Sequence, residues 1–190
     1  MTNTTAPQEK LPRYVVEKDW ITQAGLRAVV IAVFHSGTQK KQARCGYVGV
    51  SKESAFFGKA YSEQLDFISQ EQAQNSQIGE KSPILILAAT VGSDDSKTLV
   101  RRSLDIIIDC HGGLTYASHE ENSNYPVESN LWWFGFDCSH YEDGYITPSP
   151  YAFDYTEFPA KSLEFCEMQC EKIAVQLRDL ESTVQQRKGK

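Results

Sequence analysis

"GLRAVVIAVF", residues 25–34, is an apolar run rich in valine. β-Branched side chains favour strands, and a run that is apolar at consecutive positions is typical of a strand buried on both faces. A polar stretch, "HSGTQKKQAR", follows it, and the apolar pattern resumes with "CGYVGV" at 45–50. These features predict a β-hairpin over 26–50 whose first strand lies in the interior of a sheet.

Later stretches predict further strands and a short helix. "RSLDIIIDCHGG" at 102–113 predicts a third strand that ends at its glycine pair, and "LWWFGFDCSH" at 131–140 predicts a strand dense in aromatic residues. Apolar side chains spaced i, i+4 and i+7 predict a helix over 61–71. The apolar run at 83–92 is compatible with a buried strand or with a short helix, because periodicity does not distinguish the two.

A long amphipathic helix is predicted near the C-terminus. Its apolar residues alternate spacings of three and four, which places them on one stripe of a helix. They are Leu163, Cys166, Cys170, Ile173, Leu177 and Leu180. The predicted fold class is therefore α+β: a mostly antiparallel β-sheet with a long C-terminal amphipathic helix packed on one face.

The length of 190 residues fits one domain that buries a sizeable core. We place this single α+β domain at 13–184, between a flexible N-terminus at 1–12 and a basic flexible tail at 185–190. The N-terminus lacks the apolar segment of a signal peptide, and no apolar run is long enough for a membrane helix. The sequence therefore predicts a cytoplasmic protein with no membrane partner.

Charge and cysteine content exclude further classes. The formal net charge of −6 argues against broad nucleic-acid binding, which needs a basic surface. Five cysteines in a chain without a signal peptide do not indicate a disulfide framework. The composition is compatible with a monomer or with a homo-oligomer.

The predicted third strand ends in residues suited to binding. Gly112 and Gly113 lack a Cβ, so the backbone accepts a positive φ and can approach a ligand closely. Their N–H groups offer donors to an anion such as phosphate, and His111 beside them donates, accepts or ligates. Thr115 and Tyr116 follow directly. In the alternative interpretation the glycines form an ordinary turn or bulge.

The aromatic strand ends in a similar mixture of residues. Carboxylate and imidazole side chains recur every third residue there, which suits a divalent metal ion if His111 joins them. No specific spacing such as CxxC or HExxH supports a metal, and in the alternative interpretation Asp137 caps a turn. The candidate ligand-binding residues are His111, Gly112, Gly113, Thr115, Tyr116, Trp133, Asp137 and His140. The candidate metal ligands are His111, Asp137, His140 and Asp143.

Aromatic and cysteine side chains near these ends have two interpretations each. Alternation along the strand places Trp133 on the face opposite to its aromatic neighbours, and one of the two faces should pack on the helix. An exposed ring of Trp133 or Tyr116 would stack on a nucleobase, whereas such rings more often fill a core. A histidine on the neighbouring strand, such as His111, would activate Cys138 as a nucleophile, whereas strand alternation directs Cys110 away from His111. Free cysteines are more often small buried hydrophobes.

The blocks "GYVGV", "HGGLTY" and "WWFGFDCSH" together resemble a family of small, largely uncharacterised proteins encoded by phages. The similarity extends over roughly residues 44–180. It implies an accessory protein that acts in the cytoplasm of the bacterial host. Phage proteins of this size commonly counter host defence, including by trapping the nucleotide messengers that defence systems make.

Three functions remain open. The first is a binding module that sequesters a small phosphorylated or nucleotide-like ligand, such as a host-defence signal. The second is a hydrolase of such a ligand that depends on a metal ion or on His and Asp side chains. The third is a protein–protein inhibitor of a host enzyme. No cofactor is required by the first and third, and a divalent metal is the candidate cofactor for the second.

Overall fold

The computed structural model describes residues 12–68, 99–118, 125–147, 158–181 and 184 of the chain. The predicted run at 83–92 and the tail at 185–190 lie outside these residues, as does all but the last residue of the predicted flexible N-terminus. The elements in chain order are β1 (Tyr14–Ile21), β2 (Arg27–Phe34), β3 (Lys41–Val50), β4 (Leu65–Ile68), β5 (Leu99–Arg102), α1 (Leu104–Ile107), β6 (Tyr116–Ala117), β7 (Trp132–Asp137) and α2 (Leu163–Glu181).

A five-stranded sheet in the order β1-β2-β3-β7-β6 forms the body of the protein, and every neighbouring pair in it is antiparallel. The predicted hairpin is confirmed, because β2 pairs with β3 from Arg27 opposite Gly49 to Phe34 opposite Lys41. β3 begins at Lys41, earlier than the predicted apolar stretch, and its first residues are polar. β2 is buried at five consecutive positions, as expected for a strand covered on both faces.

The predicted C-terminal helix is confirmed and packs on one face of the sheet, so the α+β fold class is correct. Its stripe of buried residues, which includes Cys170 and Ile173, belongs to the same main core as Phe134 and Phe136 of β7. Gly46 of β3 lets the helix come close, because a Cβ there would lie 2.8 Å from Sγ of Cys170. Among the described residues, no helix is long and apolar enough to cross a membrane.

The opposite face of the sheet carries a second, smaller core. Val29, Ile31, Cys45, Tyr47 and Trp133 form its buried centre. Tyrosine rings surround it in edge-to-face contacts, which the aromatic quadrupole favours. Strand alternation therefore separates Trp133 from the aromatic neighbours that face α2, as the sequence pattern predicts.

The predicted third strand is wrong over its central part. Residues 104–107 form α1, a single helical turn, and the chain is extended on either side of it, at Ser103 and at Ile108. The burial pattern shows the reason, because Leu104, Ile107 and Ile108 are buried while Ile106 is 63% exposed. Those buried positions follow the i, i+3, i+4 spacing of a helix, whereas a run of apolar letters suits either structure.

Two further differences concern short elements. The helix predicted over 61–71 is, within its described part at 61–68, a turn followed by β4, which pairs with β5 in a separate two-stranded sheet. The partner strand lies far along the chain, so the local spacing of apolar residues carries no signal of it. β1 was not predicted, because its sequence "YVVEKDWI" mixes charged with apolar residues at an exposed edge of the sheet.

Candidate functional site

The first part of the site is the turn at 110–113, which two glutamines of α2 hold in place. Gln176 accepts a hydrogen bond from the backbone N–H of Asp109 at 2.7 Å and donates one to the carbonyl oxygen of the same residue at 2.9 Å. Gln169 accepts a hydrogen bond from the backbone N–H of His111 at 2.9 Å. Both glutamines are buried, so water does not compete for these bonds and the backbone that carries His111 is fixed.

The glycine pair makes this turn possible. Gly112 and Gly113 have φ values of 66° and 81°, which other residues rarely adopt. The N–H of Gly113 donates to the carbonyl oxygen of Cys110 at 3.1 Å, so it closes the turn. A Cβ on Gly112 would lie 2.0 Å from Cε1 of His140. Gly112 therefore gives the His140 ring room to lie against the backbone.

The second part of the site is the loop that follows β7. The backbone N–H of Cys138 donates to the carbonyl oxygen of Arg44 on the neighbouring strand at 2.9 Å. The N–H of Asp143 donates to the carbonyl oxygen of His140 at 2.9 Å and closes a tight turn. This loop returns both His140 and Asp143 to the turn at 110–113.

The Asp143 carboxylate is the centre of the site. Nε2 of His111 lies 2.8 Å from Oδ2 and 3.0 Å from Oδ1 of Asp143. Nδ1 of His140 lies 3.1 Å from Oδ2, and the backbone N–H of His140 donates to the same oxygen at 3.0 Å. Nζ of Lys161 lies 3.2 Å from Oδ1. We call these four residues, His111, His140, Asp143 and Lys161, the histidine–aspartate cluster.

The carboxylate of the cluster is buried, whereas its imidazole and ammonium groups are partly exposed to solvent. The Asp143 side chain is fully buried, whereas the side chains of His111, His140 and Lys161 are 21%, 39% and 26% exposed. Burial by itself would raise the pKa of Asp143. Hydrogen bonds from both histidines and from Lys161 outweigh this effect and hold the pKa below its ordinary value of 3.8. Asp143 is therefore ionised at neutral pH.

Two of the predicted polar residues lie apart from this cluster. Asp137 accepts a hydrogen bond from Oγ1 of Thr115 at 2.9 Å and another from the backbone N–H of Ser139 at 3.1 Å. Asp137 thus joins the end of β7 to the segment before β6 and caps the following turn. The group of His and Asp ligand atoms that lies together contains His111, His140 and Asp143 but not Asp137.

Two predicted aromatic residues lie in the second core, on the face of the sheet that α2 does not cover. Trp133 is 2% exposed, and its indole N–H donates to Oγ of Ser129 at 2.9 Å. The ring of Tyr116 packs edge-on against Tyr47, with centroids 5.4 Å apart. These rings therefore belong to the second core.

Of the two cysteines beside the site, Cys138 is buried in the main core and Cys110 is partly buried against it. Burial raises the pKa of the Cys110 thiol to about 12. A contact with the Cys166 thiol, 3.7 Å away between sulfur atoms, raises the pKa of Cys138 together with burial. Since the thiolate is the reactive form, these environments disfavour either cysteine as a nucleophile.

Residues of α2 and of the segment before it position the cluster, and the sequence analysis did not identify them. Lys161 binds the carboxylate, and Gln169 and Gln176 hold the turn. The two glutamines lie seven residues apart, within the buried stripe of an otherwise apolar helix face. A buried polar residue needs a hydrogen-bonding partner, so this interruption of the stripe was a usable signal. Lys161 carried none, because an isolated lysine is ordinarily a surface residue.

No protein-family model, curated protein or solved structure matches this chain at a level that indicates a shared family or fold.

Proposed function

We propose that the protein binds a small phosphorylated or nucleotide-like ligand at the histidine–aspartate cluster and sequesters it without turning it over. One observation carries the proposal. The carboxylate of the cluster is fully buried, while the groups that reach solvent around it are the two imidazoles and an ammonium. Such a surface attracts an anion, because the negative charge it contains is already hydrogen-bonded from within.

The rigidity of the site supports binding. Asp143 orients His111 and His140 together, since both rings hydrogen-bond to the same carboxylate. Gln169 fixes the backbone of the first histidine, and the tight turn fixes that of the second. Groups that are already held in place lose little conformational entropy when a ligand arrives, and this raises affinity.

An exposed aromatic ring supports a nucleotide over a bare phosphate. Tyr141 directly follows His140, is 80% exposed and packs beside Phe158. Exposed aromatic rings stack on nucleobases, so Tyr141 takes the role that the sequence suggested for Trp133 and Tyr116. The resemblance to phage proteins adds host-defence messengers, cyclic and linear, to the nucleotides worth testing.

Ligand capture distinguishes this proposal from the alternatives. The full chain is incubated with single cyclic and linear nucleotides, the protein is removed by filtration, and the filtrate is chromatographed before and after heat denaturation of the retained protein. We expect loss of a nucleotide and its intact recovery on heating. A new product in the filtrate would mean a hydrolase, and no loss of any nucleotide would favour the inhibitor of a host enzyme.

Variants within and outside the cluster test whether nucleotide capture occurs at this site. His140→Gln and Lys161→Gln should each reduce capture at least about tenfold, because each removes a group that faces the anion. His35→Gln is the control, since His35 lies in the β2–β3 turn and contacts the carbonyl oxygen of Thr147 instead. Equal loss in the control and in the site variants would refute the assignment.

A further inference from the structure

We propose that Nε2 of His111, Nδ1 of His140 and Oδ2 of Asp143 together bind one divalent transition-metal ion. These three side chains come from two separate segments of the chain, yet their ligand atoms all lie within 4.8 Å of one another. Two imidazoles and one carboxylate form a ligand set that proteins use for zinc and for non-haem iron. The metal site extends the proposed function, because it identifies a metal ion that an anionic ligand would contact.

Three nitrogen atoms lie close to one carboxylate oxygen of Asp143, and this arrangement favours a bound metal ion. Oδ2 of Asp143 faces Nε2 of His111 at 2.8 Å, Nδ1 of His140 at 3.1 Å and the backbone nitrogen of His140 at 3.0 Å. A carboxylate oxygen has two lone pairs, so three N–H donors exceed what it accepts well. If the two ring nitrogens instead direct lone pairs at a shared cation, only the backbone N–H remains as a donor to Oδ2.

The distances fit common coordination geometry. Nitrogen and oxygen ligands lie about 2.0–2.2 Å from a zinc ion, so two ligands at a tetrahedral angle are roughly 3.4 Å apart, and two at the right angle of a five- or six-coordinate ion are roughly 3 Å apart. The separations of Oδ2 from the ring nitrogens of His111 and His140, 2.8 Å and 3.1 Å, match the second value. Asp143 is therefore close enough to either histidine to share an ion with it.

Neighbouring residues hydrogen-bond to two of these three ligands, as residues around known metal sites do. Gln169 binds the backbone N–H of His111, and Lys161 binds Oδ1, the carboxylate oxygen that the ion does not use. Partners of this kind fix the orientation of ligands, and their loss typically lowers metal affinity about 10- to 100-fold. Imidazole ligands select first-row transition metals over Mg²⁺ and Ca²⁺, which prefer oxygen.

The ion also explains how the site attracts a phosphorylated ligand, a step that rests on the proposed function. Three protein ligands leave positions open on a metal that takes four or more. The dication and the Lys161 ammonium together outweigh the single Asp143 carboxylate, so the occupied site is positive. A phosphoryl oxygen would complete the coordination, with Lys161 beside it.

Titration of the metal alone tests the site. The full chain is stripped with a chelator and titrated with Zn²⁺ by calorimetry, and then with Mg²⁺. We expect one equivalent of Zn²⁺ to bind, with Mg²⁺ much weaker. His140→Gln should weaken Zn²⁺ binding at least about tenfold, and His35→Gln should leave it unchanged. Failure of the wild-type chain to prefer Zn²⁺, or equal losses in both variants, would overturn the proposal.

The absorption spectrum of bound Co²⁺ distinguishes this site from a site formed by thiols. Circular dichroism shows whether a variant that loses the bands is still folded. Co²⁺ bound by nitrogen and oxygen gives weak visible bands, whereas thiolate ligands add an intense near-ultraviolet band. We expect only the weak bands with the wild-type chain and with Cys110→Ser, and their loss in His140→Gln at unchanged far-ultraviolet circular dichroism. A thiolate band in the wild-type chain would contradict the ligand set.

The two proposals fail in distinguishable ways. Nucleotide capture by chelator-stripped protein that equals capture by Zn²⁺-loaded protein would refute the role of the metal and leave sequestration standing. Zn²⁺ binding that requires His140, without capture of any nucleotide, would refute the proposed function and leave the metal site standing.

Discussion

Gly112 meets two separate requirements of the site. Its φ of 66° lies in the left-handed region, and its missing Cβ leaves space for the His140 ring. Gly113 meets only the first, because its φ is 81° and nothing lies within 4 Å of a Cβ built there. A substitution at Gly113 therefore introduces backbone strain alone, whereas one at Gly112 introduces both backbone strain and a clash with the His140 ring.

Alanine at each glycine tests this difference. Gly112→Ala and Gly113→Ala should each lower the free energy of unfolding by about 1–3 kcal/mol, because alanine is strained at positive φ. Only Gly112→Ala should also displace His140 and abolish Zn²⁺ binding and nucleotide capture. The measurements are urea denaturation for stability, and calorimetry and filtration for binding. Equal binding by the two variants would show that the His140 ring moves aside at no cost.

At the scale of elements, a bulge in β1 supports the site from a distance. The register of β1 against β2 shifts between Val16 and Lys18, which places Glu17 at the irregularity. Glu17 accepts hydrogen bonds from Lys41 and Arg44 of β3, and Arg44 also donates to the carbonyl oxygen of Lys161 at 2.8 Å. Bulges re-aim side chains, and this one anchors the arginine that positions the backbone of Lys161.

This network predicts a loss of stability in acid. Burial alone would raise the pKa of Glu17, but hydrogen bonds from Lys41 and Arg44 hold the pKa below its ordinary 4.5. A carboxylate with a lowered pKa stabilises the fold above its unfolded pKa, and this contribution disappears as the pH falls through the folded pKa. Glu17→Gln should therefore lower the free energy of unfolding by about 1–3 kcal/mol at pH 7.

The difference between the two proteins should begin to shrink as the pH falls below about 4.5, where the carboxylate of the unfolded chain becomes protonated, and should vanish below the lower pKa of the folded chain. Urea denaturation of both proteins between pH 7 and pH 3 measures it. A difference that stays constant across this range would show that Glu17 acts through packing instead of charge.

The elements that sequence analysis predicted are those whose pattern is local. The hairpin of β2 and β3 and the stripe of α2 follow from periodicity within one segment. β4 needs a partner on a distant segment, and α1 is one turn of apolar residues that also suits a strand. The histidine and aspartate of the site were predicted as separate strand ends, and the 5.2 Å approach of the rings of His111 and His140 depended on tertiary contacts with α2.

At the scale of the whole molecule, one sheet separates two cores, and the cysteines are distributed between them. Cys45 belongs to the second core, whereas Cys138, Cys166 and Cys170 belong to the main core under α2. These four are buried, and Cys110 is partly buried at the edge of the main core. Thiol reactivity therefore reports on both faces of the sheet at once.

Thiol labelling tests whether the two cores unfold together. With Ellman's reagent at pH 8, we expect the four buried thiols of the native chain to react slowly and with one common rate, because each waits for the same opening of the fold. In concentrated urea all five thiols should react at once. Cys110→Ser identifies the contribution of the partly buried thiol. A distinctly faster rate for Cys45 would show that the second core opens independently.

The distribution of the site along the chain has a consequence for synthesis on the ribosome. His111 precedes Asp143, and the lysine and glutamine that hold them come later still, at Lys161 and Gln169. The cluster is thus completed only when α2 has left the exit tunnel and docked on the sheet. A nascent chain that lacks α2 has no Gln169 to fix the backbone of His111. The geometry that we propose for ligand binding therefore forms only after α2 has been synthesised and has docked.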